Sequence, residues 1–145
     1  MSDKFDNFSD LLRAALGDRL ASADSMLGLF ADDVIFEFPY APEGLPRRLE
    51  GKAALAAHLE RLGPLLTFGT MKLGNVYAVD GTVIFEFSCT GEGVATGAPY
   101  NQVYISVVTL REGRIAHYRD YWNPLVVLTA LGGTEAAAAA FAGAA

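Results

Sequence analysis

Tyr100–Leu128, YNQVYISVVTLREGRIAHYRDYWNPLVVL, is the stretch on which the fold of this chain turns. Tyr100 to Leu110 is rich in β-branched and aromatic residues. Arg111-Glu112-Gly113 breaks the run and Arg114 to Trp122 resumes it, which predicts a hairpin of two long strands around a short Gly-containing turn. Alternation puts Tyr118, Asp120 and Trp122 on one face of the second strand and His117, Arg119 and Tyr121 on the other. Trp122 on the first face and Arg119 on the second turn the Asp120 face inward. Partial burial of a carboxylate between two large aromatics raises its pKa toward the range useful for acid-base work. The alternative is that Asp120 only accepts hydrogen bonds from Tyr, Arg or backbone.

Beyond this hairpin, Asn123-Pro124 halts the last strand, Leu125 to Leu131 is predicted to form one or two helical turns, and Gly132-Gly133 closes them. Residues 134–145, rich in Ala with one Phe141, read as a C-terminal tail outside a single domain spanning residues 1–133. Upstream, Met71 to Val79 and Thr82 to Thr90 flank Asp80-Gly81, a strong hairpin signal. Val83, Phe85, Phe87 and Cys89 share one face of the second of these strands. Gly91 to Pro99 is a loop whose glycines do not make a dinucleotide fingerprint, because no helix opens after them.

Three helices are predicted before these strands. Phe5, Phe8, Leu12 and Ala15 stripe the first, over Asp3 to Leu16, with Ser2 as its cap and Gly17 as its stop. Leu20, Ala23, Leu27 and Phe30 stripe a second from Arg19 to Phe30, capped by Asp18. The third, Gly51 to Leu62, carries Leu55, His58, Leu59 and Leu62 on one side, so His58 faces the core. Between the last two lie the short strand Val34 to Phe38 and a loop stiffened by Pro39, Pro42 and Pro46, placed to edge a pocket. Arg47 and Arg48 in that loop either meet an anionic substrate or pair with surface acids.

The chain has 145 residues, an apolar half and a formal charge of −6. That suits one domain with one core and argues against nucleic acid or an anionic membrane as the main partner. The single Cys89 makes no internal disulfide, and with no secretory leader evident a reducing, cytoplasmic setting is expected. No apolar run reaches the length of a bilayer span. The two histidines fall on different faces and lack ligand spacing, so neither a metal nor another cofactor is expected.

Helices first and strands last is the α+β order. It predicts a curved antiparallel sheet, cone-shaped, with the three N-terminal helices on its concave face. Incomplete coverage leaves a hollow lined by Phe36, Phe38, Phe85, Tyr104, Tyr118 and Trp122, the default binding site for a small apolar or aromatic molecule. Val103, Ile105, Val107, Ile115 and Tyr121 make the outer face apolar enough to predict a homodimer through it.

Three features resemble the ketosteroid isomerase and nuclear transport factor two superfamily, which includes the SnoaL-like polyketide cyclases. They are the element order, the run Phe30-Ala31-Asp32-Asp33 leading to Glu37-Phe38-Pro39, and the closing Gly113-Arg114-Ile115 to Tyr121-Trp122. The resemblance covers roughly Phe5 to Leu131 and implies a cone-shaped domain with a deep apolar pocket, usually dimeric. Trp122 matches a pocket-lining tryptophan. Steroid isomerase chemistry does not follow: Phe38 falls where those enzymes hold their aspartate base, Ser106 falls near their oxyanion-binding aspartate, and no Tyr precedes Tyr40. Tyr118 to Asn123 with Leu128 to Gly132, and Glu50-Gly51-Lys52 to Ala57-His58, are similar instead to the phenazine-biosynthesis condensing enzymes. That likeness implies a general acid at Asp120 and an active-site histidine at His58. The expected function is therefore an isomerase, cyclase or dehydratase acting on an apolar or aromatic carbonyl compound. Asp120 moves the proton, His58 partners it, and Tyr104, Tyr118 and Trp122 hold the substrate, with Phe36, Phe38, Phe85 and Ser106 as further lining contacts. An epoxide-opening hydrolase uses the same residues, and a non-catalytic binding or dimerisation domain uses only the hollow or the sheet.

Overall fold

The computed structural model describes residues 3–142. Seven strands form one sheet: β1 (Lys4–Phe5), β2 (Phe30–Glu37), β3 (Arg48–Glu50), β4 (Leu66–Val79), β5 (Thr82–Gly93), β6 (Gln102–Arg111) and β7 (Arg114–Trp122). Their order is β1-β4-β5-β6-β7-β2-β3. Both predicted hairpins are present. The β6–β7 turn sets Glu112 and Gly113 at φ of 53° and 77°, the positive pair that matches strand twist. The sheet is mixed, not wholly antiparallel, because β2 runs parallel to β7 with Phe36 opposite Tyr118. Register shifts in β4 between Phe68 and Met71 and between Leu73 and Val76 help it curve.

Four α-helices accompany the sheet: α1 (Phe8–Leu16), α2 (Lys52–Leu62), α3 (Pro124–Leu131) and α4 (Thr134–Ala140). α1 starts later than its stripe suggests. Asn7 caps it, its side-chain oxygen accepting the Asp10 N–H at 2.8 Å. The cap expected at Ser2 lies outside the described residues. Leu11, Leu12, Ala15 and Leu16 are buried, and Phe8 sets its ring 6.0 Å from Phe87 and 6.1 Å from Tyr118.

The second predicted helix does not form. Between Gly17 and Leu29 there are only two single 3-10 turns. Tertiary donors claim this segment's backbone: Arg13 binds the Ala23 carbonyl at 3.1 Å, Arg114 binds that of Ser22 at 3.2 Å, and Ala21 donates to Gly113 at 2.9 Å. Ser25 bonds the Gly28 N–H locally, a further competitor to helix. Two helices rather than three therefore precede the long strands.

Corrections continue at the far end. The Ala-rich segment expected as a loose tail forms α4, with Ala137 fully buried and Phe141 5% exposed. Its seat is the proline loop, where a Cβ on Gly44 would stand 2.8 Å from the Ala138 Cβ. Ile115, expected on the outer face, is fully buried. The register shift between Thr109 and Leu110 turns it to the same side as Tyr118 and Asp120.

Two glycines of the loop region around 91–97 serve close approach instead of ligand binding. A Cβ on Gly93 would meet the Ala130 carbonyl of α3 at 2.0 Å, and one on Gly91 would meet the Thr67 carbonyl at 2.3 Å. Gly93→Ala should therefore push α3 off β5 and destabilise the fold by about 1–3 kcal/mol, as overpacking does. Urea denaturation measures this, and an unchanged midpoint would show that α3 is free to move aside.

Candidate functional site

Helices α1, α2, α3 and α4 leave part of the inner sheet face uncovered by their own side chains. A cavity of about 410 Å³ remains there. Its walls are Phe30, Phe36 and Phe38 from β2 and the segment after it, Phe87 from β5, Trp122 from β7, Leu55, Leu59 and Leu62 from α2, and Val127 and Leu131 from α3. Leu45 and Pro46 place the proline loop at its edge, as expected, and Phe141 closes it from the C-terminal side. Arg48 instead pairs on the surface with Glu37 at 3.6 Å and Glu50 at 3.1 Å.

Asp120 and His58 both line this space. Asp120 is 9% exposed. Its Oδ1 accepts a long hydrogen bond from Ser106 Oγ at 3.4 Å, and Ser106 in turn lies 2.6 Å from the Tyr118 hydroxyl. Register explains the contact, since Ser106 stands directly opposite Asp120 across the β6–β7 ladder. Loss of water drives the Asp120 pKa up to about 8, and the Ser106 hydrogen bond only partly opposes it. At neutral pH this carboxyl is mostly protonated.

His58, on α2, is half-buried, with its ring 5.1 Å from Phe38 and 5.9 Å from Phe141, nearly parallel to the latter at 17°. Desolvation, assisted by the positive charge of Arg61, lowers its pKa to about 4. It is a neutral imidazole at pH 7. The other histidine, His117, pairs with Glu37 on the opposite side of β7, and the described residues contain no group of His, Cys, Asp and Glu able to hold a metal.

Tyr104 and Tyr100 supply further polar atoms to the cavity wall. Their hydroxyls are 2.8 Å apart, and Tyr104 stacks on Phe87 at 4.3 Å and 7°. Burial raises both pKa values, so both stay phenols. Tyr100 opens the stretch that organises the sequence, yet its role was not legible there. It precedes β6, where strand alternation no longer says which way a side chain points.

Three residues expected in the lining stand behind it. Phe85 and Tyr118 are fully buried in the core, with Tyr118 stacked on Phe36 at 4.3 Å, and Ser106 is fully buried under Asp120. Phe36, Phe38, Tyr104, Trp122, Asp120 and His58 do face one space. Sequence alone did not point to Phe141, Tyr100 or the α3 residues.

The SnoaL-like domain family matches residues 12–118. The uncharacterised protein YesE of Bacillus subtilis strain 168 is 42% identical over 137 residues, covering 92% of this chain and 93% of its own. An uncharacterised PhzA/B-like protein of Pseudomonas aeruginosa is 44% identical over 113 residues, 76% of this chain and 79% of that one. The crystal structure of a candidate isomerase from Bacillus subtilis, 44% identical, superposes with a TM-score of 0.72 over 84% of this chain and 86% of that chain. By family match and by relatives, this chain belongs to the SnoaL-like domain family.

Proposed function

We propose that this protein is an acid-base enzyme whose substrate is an apolar or aromatic carbonyl compound, with Asp120 as the proton donor. One observation carries the reading: a carboxyl held protonated at neutral pH inside an apolar cavity large enough for a bicyclic molecule. A neutral acid donates to a carbonyl oxygen as negative charge develops there. The desolvated surroundings strengthen that donation, because no bulk water competes for the proton. His58, neutral at pH 7, then takes a proton from the carbon beside the carbonyl. The Ser106–Tyr118 pair keeps Asp120 aimed into the cavity and supplies a hydrogen bond when it becomes a carboxylate. The candidate isomerase among the relatives is consistent with this class of reaction.

The test is α-proton exchange on 4-ethylacetophenone in D₂O, followed by proton NMR. Wild type should exchange the methyl-ketone protons at a rate that is level between about pH 4, below which His58 is protonated, and about pH 8. The rate should fall as pH rises through about 8, because the active species is the protonated carboxyl. Asp120→Asn should lower the rate by about 10²-fold or more, a typical contribution of a placed proton donor, and remove that limb. Binding of the ketone with no exchange in either protein makes the domain a binder instead.

Stability should follow the same titration. Folding raises the Asp120 pKa from an ordinary 3.8 to about 8. Wild type therefore loses stability as pH climbs across that interval, where the unfolded chain releases a proton that the folded chain retains. Asp120→Asn removes this penalty and leaves that of His58 untouched. Its melting temperature relative to wild type should rise between pH 5 and pH 9, and a constant difference would mean that Asp120 is not desolvated.

We also propose that a second copy of the chain covers the outer sheet face. Val103 is 67% and Ile105 44% exposed on the outward side of β6, side by side in an apolar strip. Val103→Lys with Ile105→Lys should convert a dimer to a monomer in sedimentation equilibrium. A dimer that survives both changes, or a wild-type monomer, removes this interface.

A further inference from the structure

The paired phenols of Tyr100 and Tyr104 contain one more proton than their protein neighbours accept. Cys89 Sγ donates toward the Tyr104 hydroxyl at 3.7 Å. The Gln102 amide is spoken for on its oxygen, which accepts from the Asn123 and Val103 N–H groups, and its nitrogen donates to the Asn123 carbonyl at 2.9 Å. That same amide acts on Tyr100 as a donor, favouring its ionised form. The neighbours of the phenol pair are therefore donors, with the Cys89 sulfur a weak acceptor at most. The two phenols share a single hydrogen bond of 2.8 Å, which uses one of their two protons. The second proton has no carbonyl or carboxylate partner among the described residues, and both rings line the cavity.

We propose that this surplus phenolic proton is a second anchoring point, which holds a neutral acceptor oxygen of the substrate apart from the carbonyl engaged by Asp120. This rests on the reading of the cavity as a site for aromatic carbonyl compounds and narrows it to molecules carrying two acceptor oxygens. Placement fits the separation. Asp120 lies opposite Ser106, whereas Tyr104 lies two residues earlier on β6, opposite Trp122, so the two stations sit at successive inward positions of the sheet. The Trp122 ring, which lines the cavity, stands across the ladder from Tyr104 at the second station. Charge selects the class of acceptor. The lining contains no Lys or Arg, so a carboxylate ligand would be desolvated without a counter-charge, whereas a ketone, quinone or ester oxygen needs only a donor.

Two isosteric pairs of probes test this: 1,4-diacetylbenzene against 4-ethylacetophenone, and 1,3-diacetylbenzene against 3-ethylacetophenone. Each pair differs by one carbonyl oxygen, and binding is followed by quenching of Trp122, the single tryptophan. At least one diacetyl compound should bind wild type about tenfold more tightly than its ethyl counterpart, the worth of one hydrogen bond in a desolvated site. Tyr100→Phe with Tyr104→Phe should erase that preference while leaving ethyl-ketone affinity and the melting temperature nearly unchanged, because donor and acceptor leave together. The double substitution is required, since removing one hydroxyl leaves the other proton free to take over. Equal affinities in wild type, a preference that survives the double change, or no binding of any probe overturns the second anchor. The exchange of 4-ethylacetophenone is compared between wild type and Asp120→Asn, in both of which the two hydroxyls are present. Loss of the preference with exchange intact thus rejects the anchor alone, and loss of exchange with the preference intact rejects only the catalytic reading.

Discussion

The register of the β6–β7 hairpin is the constraint on which the rest depends. Its two-residue turn at Glu112-Gly113 fixes the pairing at one end, and the shift between Thr109 and Leu110 corrects the facing one step later. From there Tyr118 and Asp120 fall inward, opposite Val108 and Ser106, and Arg119 falls outward. A slip of one residue would exchange the faces, burying Arg119 and exposing Asp120. Burial of Tyr118 against Phe36, Phe30 and Phe85 opposes that slip, since these aromatic contacts exist in one register only. The same packing that closes the core thus delivers a carboxyl to the cavity wall.

Once there, Asp120 is one of four groups on the cavity wall that are pushed toward their neutral forms. Desolvation raises Asp120, Tyr100 and Tyr104 and lowers His58. These are four independent expressions of one cause. The result is a cavity rich in hydrogen-bond donors and poor in charge, which favours uncharged acceptors. Charge is kept on the other side of the sheet, where Arg48 spans Glu37 and Glu50 and Arg111 meets Asp33.

What the sequence revealed follows from the range of the forces involved. Strand alternation and turn chemistry act over a few residues, so the hairpins at Asp80-Gly81 and Glu112-Gly113, the inward facing of Asp120 and the α2 stripe with His58 could be read directly. The parallel pairing of β2 with β7 joins residues some eighty positions apart, and nothing local announces it. The stripe from Leu20 to Phe30 has helical period, yet Arg13, Arg114 and Gly113 capture its backbone from a distance, and tertiary bonding overrides the pattern. Phe85, Ser106 and Tyr118 have the parity of lining residues. Parity gives the side of the sheet, and depth beneath α1 decides whether a side chain reaches the hollow. Phe141 was hidden for the opposite reason, since an alanine helix has no stripe and docks only because Gly44 lets the proline loop come close.

The hollow and the buried carboxyl are both costly to folding, and they occur in the same place. Unfilled apolar space costs about 24 cal/mol per Å³ when it replaces packed side chains. Across some 410 Å³, this is comparable with the whole stability of a small domain, and water in the space recovers only part of it. A carboxyl driven up to about 8 by desolvation adds a further penalty, which grows from the ordinary carboxyl pKa of 3.8 upward and is complete above about 8. A module built only to hold two copies together would do better with leucine in both roles, because most of the cavity wall is already apolar. Stability given up twice at one point, with hydrogen-bond donors converging there, is what the proposed ligand site requires and what a core packed for stability alone would avoid.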